Sequence, residues 1–286
     1  MTTGVHTFSA MGTTFWLQAE GVDDEALRSS ERLVREAEAR LSRFLPGSSL
    51  SQLNSRREAS DPMLALVARE ALRARELTRG AFDPTVGDSL IAAGYDRSFE
   101  HLSTTTGPSR AEGGRPDVTI EGDTVRLTGR GALDLGGIAK GWTVDRVAEQ
   151  LAMAGATGWL VDGGGDIRVG GQAPAGEWHL GIGDDHAIGL TEGAVATSSS
   201  LQRRWRTAEG EAHHIIDPRT GQPALGLVDT AVVIARDAGT ADVLATALIA
   251  DFDATWPALA RCDAAALVHS AVNGWRMTSN LKELLR

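Results

Sequence analysis

Between residues 23 and 41 the apolar positions Leu27, Leu33, Val34 and Ala37 fall on one face of a helix, with charged residues opposite. The same period returns after Lys140, where Val144, Val147, Ala148 and Leu151 predict a helix to about Met153. Asp61-Pro62 opens a helix reaching about Thr78, with proline in its favoured early position, and a further helix covers residues 240–250. Shorter runs predict strands at residues 8–19 (interrupted at Met11-Gly12-Thr13), 158–168, 178–182, 193–197, 212–216 and 229–235. Residues 118–120 and 124–127 predict a hairpin around Gly122-Asp123, followed by a strand ending at Asp134. The chain is expected to close with a strand pair and a short helix.

Loops are expected at residues 41–54, at 80–87 before a short helical segment, and at a Ser-, Thr-, Gly- and Pro-rich surface stretch, 100–117. Strands outnumber helices and run in clusters. That pattern favours an α+β fold, with mixed or antiparallel sheets flanked by helices, over a doubly wound parallel sheet. No internal repeat is visible, and the whole of residues 1–286 is read as a single domain.

The 286 residues are enough for a substantial core, and 42% hydrophobic with 23% charged residues is ordinary for a globular chain. A net charge of -10 argues against general nucleic-acid binding, because no basic surplus exists to neutralise phosphates. Any phosphate must therefore meet local cations in a pocket. The single cysteine, Cys262, has no partner for an internal disulfide. No run of about eighteen apolar residues predicts a membrane span. The first residues lack a basic region followed by an apolar core, so a cytoplasmic location is expected.

Asp134-Leu-Gly-Gly-Ile-Ala-Lys140-Gly places a lysine in the first turn of a helix behind two glycines. A cation there is slightly unfavourable alone, but it becomes useful beside an anion held by the helix end. Asp242 and Thr246 lie four apart on one helix face, where two hard oxygens suit a magnesium ion. The alternative reading is that the acid serves the helix dipole while the threonine packs. His214, in Ala212-His-His-Ile-Ile-Asp-Pro-Arg-Thr-Gly221, is either a proton-handling or a structural histidine. Its neighbour His213 is expected on the opposite, solvent-facing side.

Val161-Asp-Gly-Gly-Gly-Asp166 leads into another strand rather than a helix, so it reads as a tight turn and not a dinucleotide fingerprint. Phe82 and Asp83 offer a ring and a carboxylate to a flat heterocycle, or Asp83 simply caps the segment before Pro84. Thr197-Ser-Ser-Ser200 supplies hydroxyls for a phosphate, or for ending a strand.

In order along the chain, Met11-Gly-Thr13, Leu41-Ser-Arg-Phe-Leu with Ser51-Gln-Leu-Asn54, Gly80-Ala-Phe-Asp-Pro-Thr85 and Asp134 to Gly141 resemble the ApbE flavin transferase family. Val161 to Asp166, Thr197-Ser198, His214 to Gly221 and Ala241-Asp-Val-Leu-Ala-Thr246 continue the resemblance. It implies a T-fold-like architecture of two closely packed lobes and a magnesium-dependent reaction on FAD. FMN would pass to a threonine or serine hydroxyl of an acceptor flavoprotein, and AMP would leave. The resemblance implies that Met11, Phe44, Ala81, Phe82, Asp83, Asp134, Lys140 and Thr197 contact FAD, with Ile216 lining the flavin site. It further implies Gly137 (through its carbonyl), Asp242 and Thr246 as magnesium ligands. His214, Lys140 and Asp242 would carry the catalysis. The family often has tyrosine where Phe44 stands, which leaves only stacking from that side chain here. It usually has glycine after Thr-Ser, where this chain has Ser199. Two other readings stand beside transfer: hydrolysis of FAD to FMN and AMP, and non-catalytic flavin binding.

Overall fold

The computed structural model describes residues 3–102, 114–183, 186–207 and 210–286. Its centre is an eight-stranded sheet whose neighbours are all antiparallel. In spatial order the strands are Thr3–Ala10, Thr13–Glu20, Gly158–Asp162, Asp166–Gly171, Gly193–Ser199, Thr230–Ala235, Ala265–Ser270 and Gly274–Met277, which is also their order in the chain. The sequence between them supplies the helices and smaller sheets, so the α+β expectation holds.

Seven helices are present among the described residues: α1 (Asp24–Leu41), α2 (Ser49–Arg56), α3 (Pro62–Leu77), α4 (Gly87–Ala92), α5 (Ala139–Met153), α6 (Ala238–Ala250) and α7 (Phe252–Arg261). α1 starts where Asp23 accepts a hydrogen bond from Ala26 N at 3.0 Å, which satisfies one of the otherwise orphaned amides of its first turn. α6 is apolar on every side and is buried accordingly, wedged between the sheet and the other helices. Its Leu244 and Leu248 join the sheet residues Val233 and Ala266 in one core cluster. Its Val243 and Ala247 face a second cluster, built from α2, α3, Leu133, Leu135 and a three-stranded sheet. One helix thus touches both halves of the molecule, and it is the helix that carries Asp242 and Thr246.

Several local expectations change. Residues 8–19 form a hairpin rather than one interrupted strand. Ala10 pairs with Thr13, and the two turn residues Met11 and Gly12 have φ of 53° and 67°. Two positive φ values in a two-residue turn match the twist of the flanking strands. The expected loop at 41–54 contains α2, started by Ser48, whose hydroxyl accepts from Ser51 N at 3.0 Å. No strand leads to Asp134; residues 130–135 are irregular, and Asp134 N donates to Pro84 O at 2.8 Å. The strand expected at 212–216 breaks at His214, between Gly210–His213 and Ile216–Asp217. α7 forms despite Pro257, because its N-cap Asp251 and the burial of Thr255, Ala258 and Leu259 hold it. Of the surface loop expected at 100–117, residues 103–113 lie outside the described residues. No helix among the described residues is long and apolar enough to cross a membrane.

Candidate functional site

The sequence after Asp134 turns sharply and enters α5 with Lys140 in the first turn. α5 then crosses the start of α6 so closely that a Cβ on Gly141 would lie 2.4 Å from Ala238 O. Only glycine permits that approach, and it sets Lys140 beside Asp242. Gly141 N donates to Asp242 Oδ2 at 3.4 Å. The Lys140 ammonium is ion-paired with Asp166, which arrives from the neighbouring strand. The Asp166 and Asp242 carboxyls lie close enough to act on each other electrostatically.

Burial decides the charge state of this trio. It works against the Lys140 ammonium, but the Asp166 and Asp242 carboxylates outweigh it and hold the lysine above its ordinary range. Burial raises both Asp166 and Asp242, and for Asp242 the neighbouring Asp166 adds to the effect. One positive and two potential negative charges therefore share a dry corner, and Asp166 Oδ1 has no hydrogen-bond partner among the described residues.

One turn along α6, Thr246 Oγ1 lies 3.1 Å from Ser198 Oγ. A Cβ on Gly137 would stand 3.4 Å from the same Thr246 hydroxyl and 3.1 Å from the Phe82 ring, so the Gly136-Gly137 backbone passes directly over it. The sequence-derived ligands Gly137, Asp242 and Thr246 are thereby brought together. Thr197 is exposed and, by strand alternation, lies on the face opposite Ser198. Among the described residues no three His, Cys, Asp or Glu converge as a ready metal cluster. The donors present are hard oxygens with an unpartnered carboxylate oxygen beside them. That set fits a small divalent cation completed by ligand phosphates and water.

His214 approaches from the other side. Its Nδ1 is buried and lacks a partner among the described residues. Burial, followed by the positive charges of Arg203, His213 and Lys140, pushes its pKa down to about 3, so the ring is neutral. His213, expected in solvent, is buried instead. Its Nε2 lies 2.9 Å from Ala224 O and its Nδ1 accepts from Ile215 N at 3.2 Å, which ties the strand break together.

Phe44 and Ile216 belong to one aromatic cluster with Tyr95 and Trp205. Arg43 stacks over Phe44 at 4.1 Å and Tyr95 at 4.7 Å, and its Nε donates to Asp134 Oδ2 at 2.6 Å. Asp134 Oδ1 accepts from Gly136 N at 2.8 Å, so the carboxylate braces the glycine turn. Ala81 and Phe82 are buried beside α5 and α6. Asp83 is buried and engaged: Oδ1 accepts from Thr85 N and Oγ1 at 2.9 and 2.7 Å, and Oδ2 pairs with Arg75 and Arg115. Met11 sits in the hairpin turn, held by Glu38 Oε1 at 2.7 Å.

Sequence reasoning missed Asp166, Ser198, Arg43, Tyr95 and Arg203. Asp166 lay inside a motif read as a turn, and strand alternation would have separated Ser198 from Thr197. Arg43 stood next to Phe44 in its motif. Nothing local marks Arg203, whose charge reaches both Lys140 and His214. A cavity at the C-terminal end of α6, lined by Arg219, Val228, Asp251 and Arg276 among others, includes none of these residues.

The antiparallel α+β scaffold thus gathers a lysine, paired carboxylates and hydroxyls at one helix crossing. Comparison with known proteins gives the family. The model of the ApbE family matches residues 11–268, and the chain belongs to that family. It is 32% identical over 263 residues to a Vibrio cholerae protein named FAD:protein FMN transferase, covering 84% of this chain and 78% of the relative. The crystal structure of the ApbE protein of Thermotoga maritima superposes with a TM-score of 0.87 at 28% identity, covering 100% of both chains. The flavin transferase ApbE of Vibrio cholerae gives 0.80 at 27% identity, covering 99% of each.

Proposed function

We propose that this protein is an FAD:protein FMN transferase, its single domain moving FMN from FAD to a threonine or serine hydroxyl of an acceptor flavoprotein. The observation that carries this reading is the Lys140, Asp166 and Asp242 cluster lying one helical turn from Thr246 and against the Gly137 backbone. FAD is a diphosphate ester, and cleaving it requires positive charge on both phosphates inside an acidic protein. Lys140 supplies one such charge. Asp242, Thr246 and the Gly137 carbonyl would hold Mg2+, which when bound neutralises the diphosphate and steadies the charge that develops on it.

In the reaction the acceptor hydroxyl oxygen attacks the FMN phosphorus. A new P–O bond forms, the bridging P–O bond breaks, and AMP departs with the bridging oxygen and its electron pair. The hydroxyl proton passes to neutral His214, the base on the Arg203 side of the cluster. His214 is a weak base because it is buried and because the Arg203, His213 and Lys140 charges face it. A bound diphosphate offsets the cationic part of that suppression and raises its basicity at the step that needs it. Met11, Phe44, Ala81, Phe82, Asp83, Asp134 and Ile216 complete the FAD site in this reading, with Ser198 in the place the sequence assigned to Thr197, which faces away.

The test is to incubate the protein with FAD, Mg2+ and an acceptor protein, then follow the acceptor's intact mass and free AMP. The reading expects a gain of one FMN phosphoester per acceptor and an equal amount of AMP. AMP without a mass gain would make the protein an FAD hydrolase, and FAD binding with neither product would make it a flavin carrier.

A further inference from the structure

We propose that Arg43 reads the pyrimidine edge of the flavin ring, donating hydrogen bonds from Nη2 to a ring carbonyl. This rests on the FAD reading above. The Arg43 side chain is only 7% exposed, and its Nη2 is buried without a partner among the described residues. A guanidinium donor kept dry and unpaired is costly, so such a group calls for an acceptor that the protein itself does not provide. The remainder of the side chain is fixed. Nε is spent on Asp134 at 2.6 Å, and the guanidinium face rests on Phe44 and Tyr95. The fork is therefore preorganised and loses little freedom when a ligand arrives.

The shape of the wall restricts the ligand. Phe44, Tyr95, Trp205 and Ile216 pack together, and Tyr95 and Trp205 are stacked at 5.3 Å. Phe44 carries no polar atom, and the Arg203 charge acts on the Tyr95 hydroxyl. A ligand on this wall must be flat and apolar on its faces and must bring its acceptors at one edge, next to Arg43. The isoalloxazine fits, because its benzenoid end is apolar and its pyrimidine end carries two carbonyls. Arg43 thus provides the polar contact that the Phe44 ring lacks.

Binding of FMN and of ADP, measured separately on wild type, Arg43→Gln and Arg43→Lys, tests the assignment, since each probe contains one end of FAD. Arg43→Gln is expected to weaken FMN by about tenfold or more, the scale of a lost charged hydrogen bond, while ADP affinity stays unchanged. Arg43→Lys, which keeps a charge beside Asp134 and guards against a folding failure, should recover part of the FMN affinity. The visible absorption band of bound flavin should also shift in Arg43→Gln, which a purely structural brace would not cause. Equal losses for FMN and ADP, a loss confined to ADP, or no loss at all would each overturn the proposal. Wild type binding neither probe would instead sink the FAD reading beneath it.

Discussion

The lysine-carboxylate corner and the aromatic wall hold their groups in opposite ways. At the corner, backbone geometry does the positioning: Gly141 lets α5 and α6 touch, and Lys140 and Asp242 follow from that one crossing. At the wall, side chains from remote segments position one another; Arg43 and Asp134 are separated by 91 positions, yet they pair at 2.6 Å. A site set by backbone fails as a whole when the crossing is altered. A site set by side chains should lose specificity residue by residue.

The largest effect is expected at the corner. Asp242→Ala should reduce turnover by about 10³-fold or more, the scale of removing a group that stabilises developing charge. Its unfolding should remain cooperative by denaturant titration, because Ala241, Leu244 and Leu248 continue to bury α6. Full activity in that variant would remove Asp242 from the chemistry.

Gly141→Ala attacks the crossing itself. Its Cβ would meet the Ala238 carbonyl at 2.4 Å, and a backbone oxygen has no rotamer to move into. A stability loss of about 1–3 kcal/mol is expected, with activity falling alongside as Lys140 shifts. A fully stable and active variant would show that close helix contact does not position the corner.

His214 links the two regions through pH. Its folded pKa, about 3, lies below the ordinary value of 6.5, so the unfolded chain binds the extra proton between those values. The neutral ring therefore contributes stability above pH 6.5 that is lost progressively on acidification. His214→Gln should relieve about 2 kcal/mol of this acid sensitivity by pH 5, seen as a flatter dependence of the unfolding midpoint on pH. Parallel profiles for the variant and wild type would mean that the ring is not buried in solution.

The smallest effect is expected on the outer face of α1. Arg32 pairs with Glu25 at 2.7 Å in full solvent. Arg32→Ala should leave both the melting midpoint and turnover indistinguishable from wild type, because water already screens that pair.

What the sequence disclosed follows the same division. Helical period and caps were enough for α1, α3 and α5, since apolar spacing and residues such as Asp23 and Pro62 act locally. The spacing of Asp242 and Thr246 on α6 was legible for the same reason. The Met11-Gly12 hairpin was obscured because a two-residue turn leaves no polar gap between its strands. α2 was obscured because serines dominate its start, and serine suits a loop as well as an N-cap. His213 shows the limit of alternation: the strand breaks beside it, so counting residues in and out no longer tells which ring is buried. Arg203 and Tyr95 reach the site only through folding of remote chain, which no spacing rule encodes.

A crystal structure with ADP and Mg2+ tests the central claim most directly. The account predicts the cation between Asp242, Thr246 and the diphosphate, with the Lys140 ammonium on a phosphate oxygen. A diphosphate bound elsewhere, with Lys140 still paired to Asp166 and no cation between Asp242 and Thr246, would contradict it.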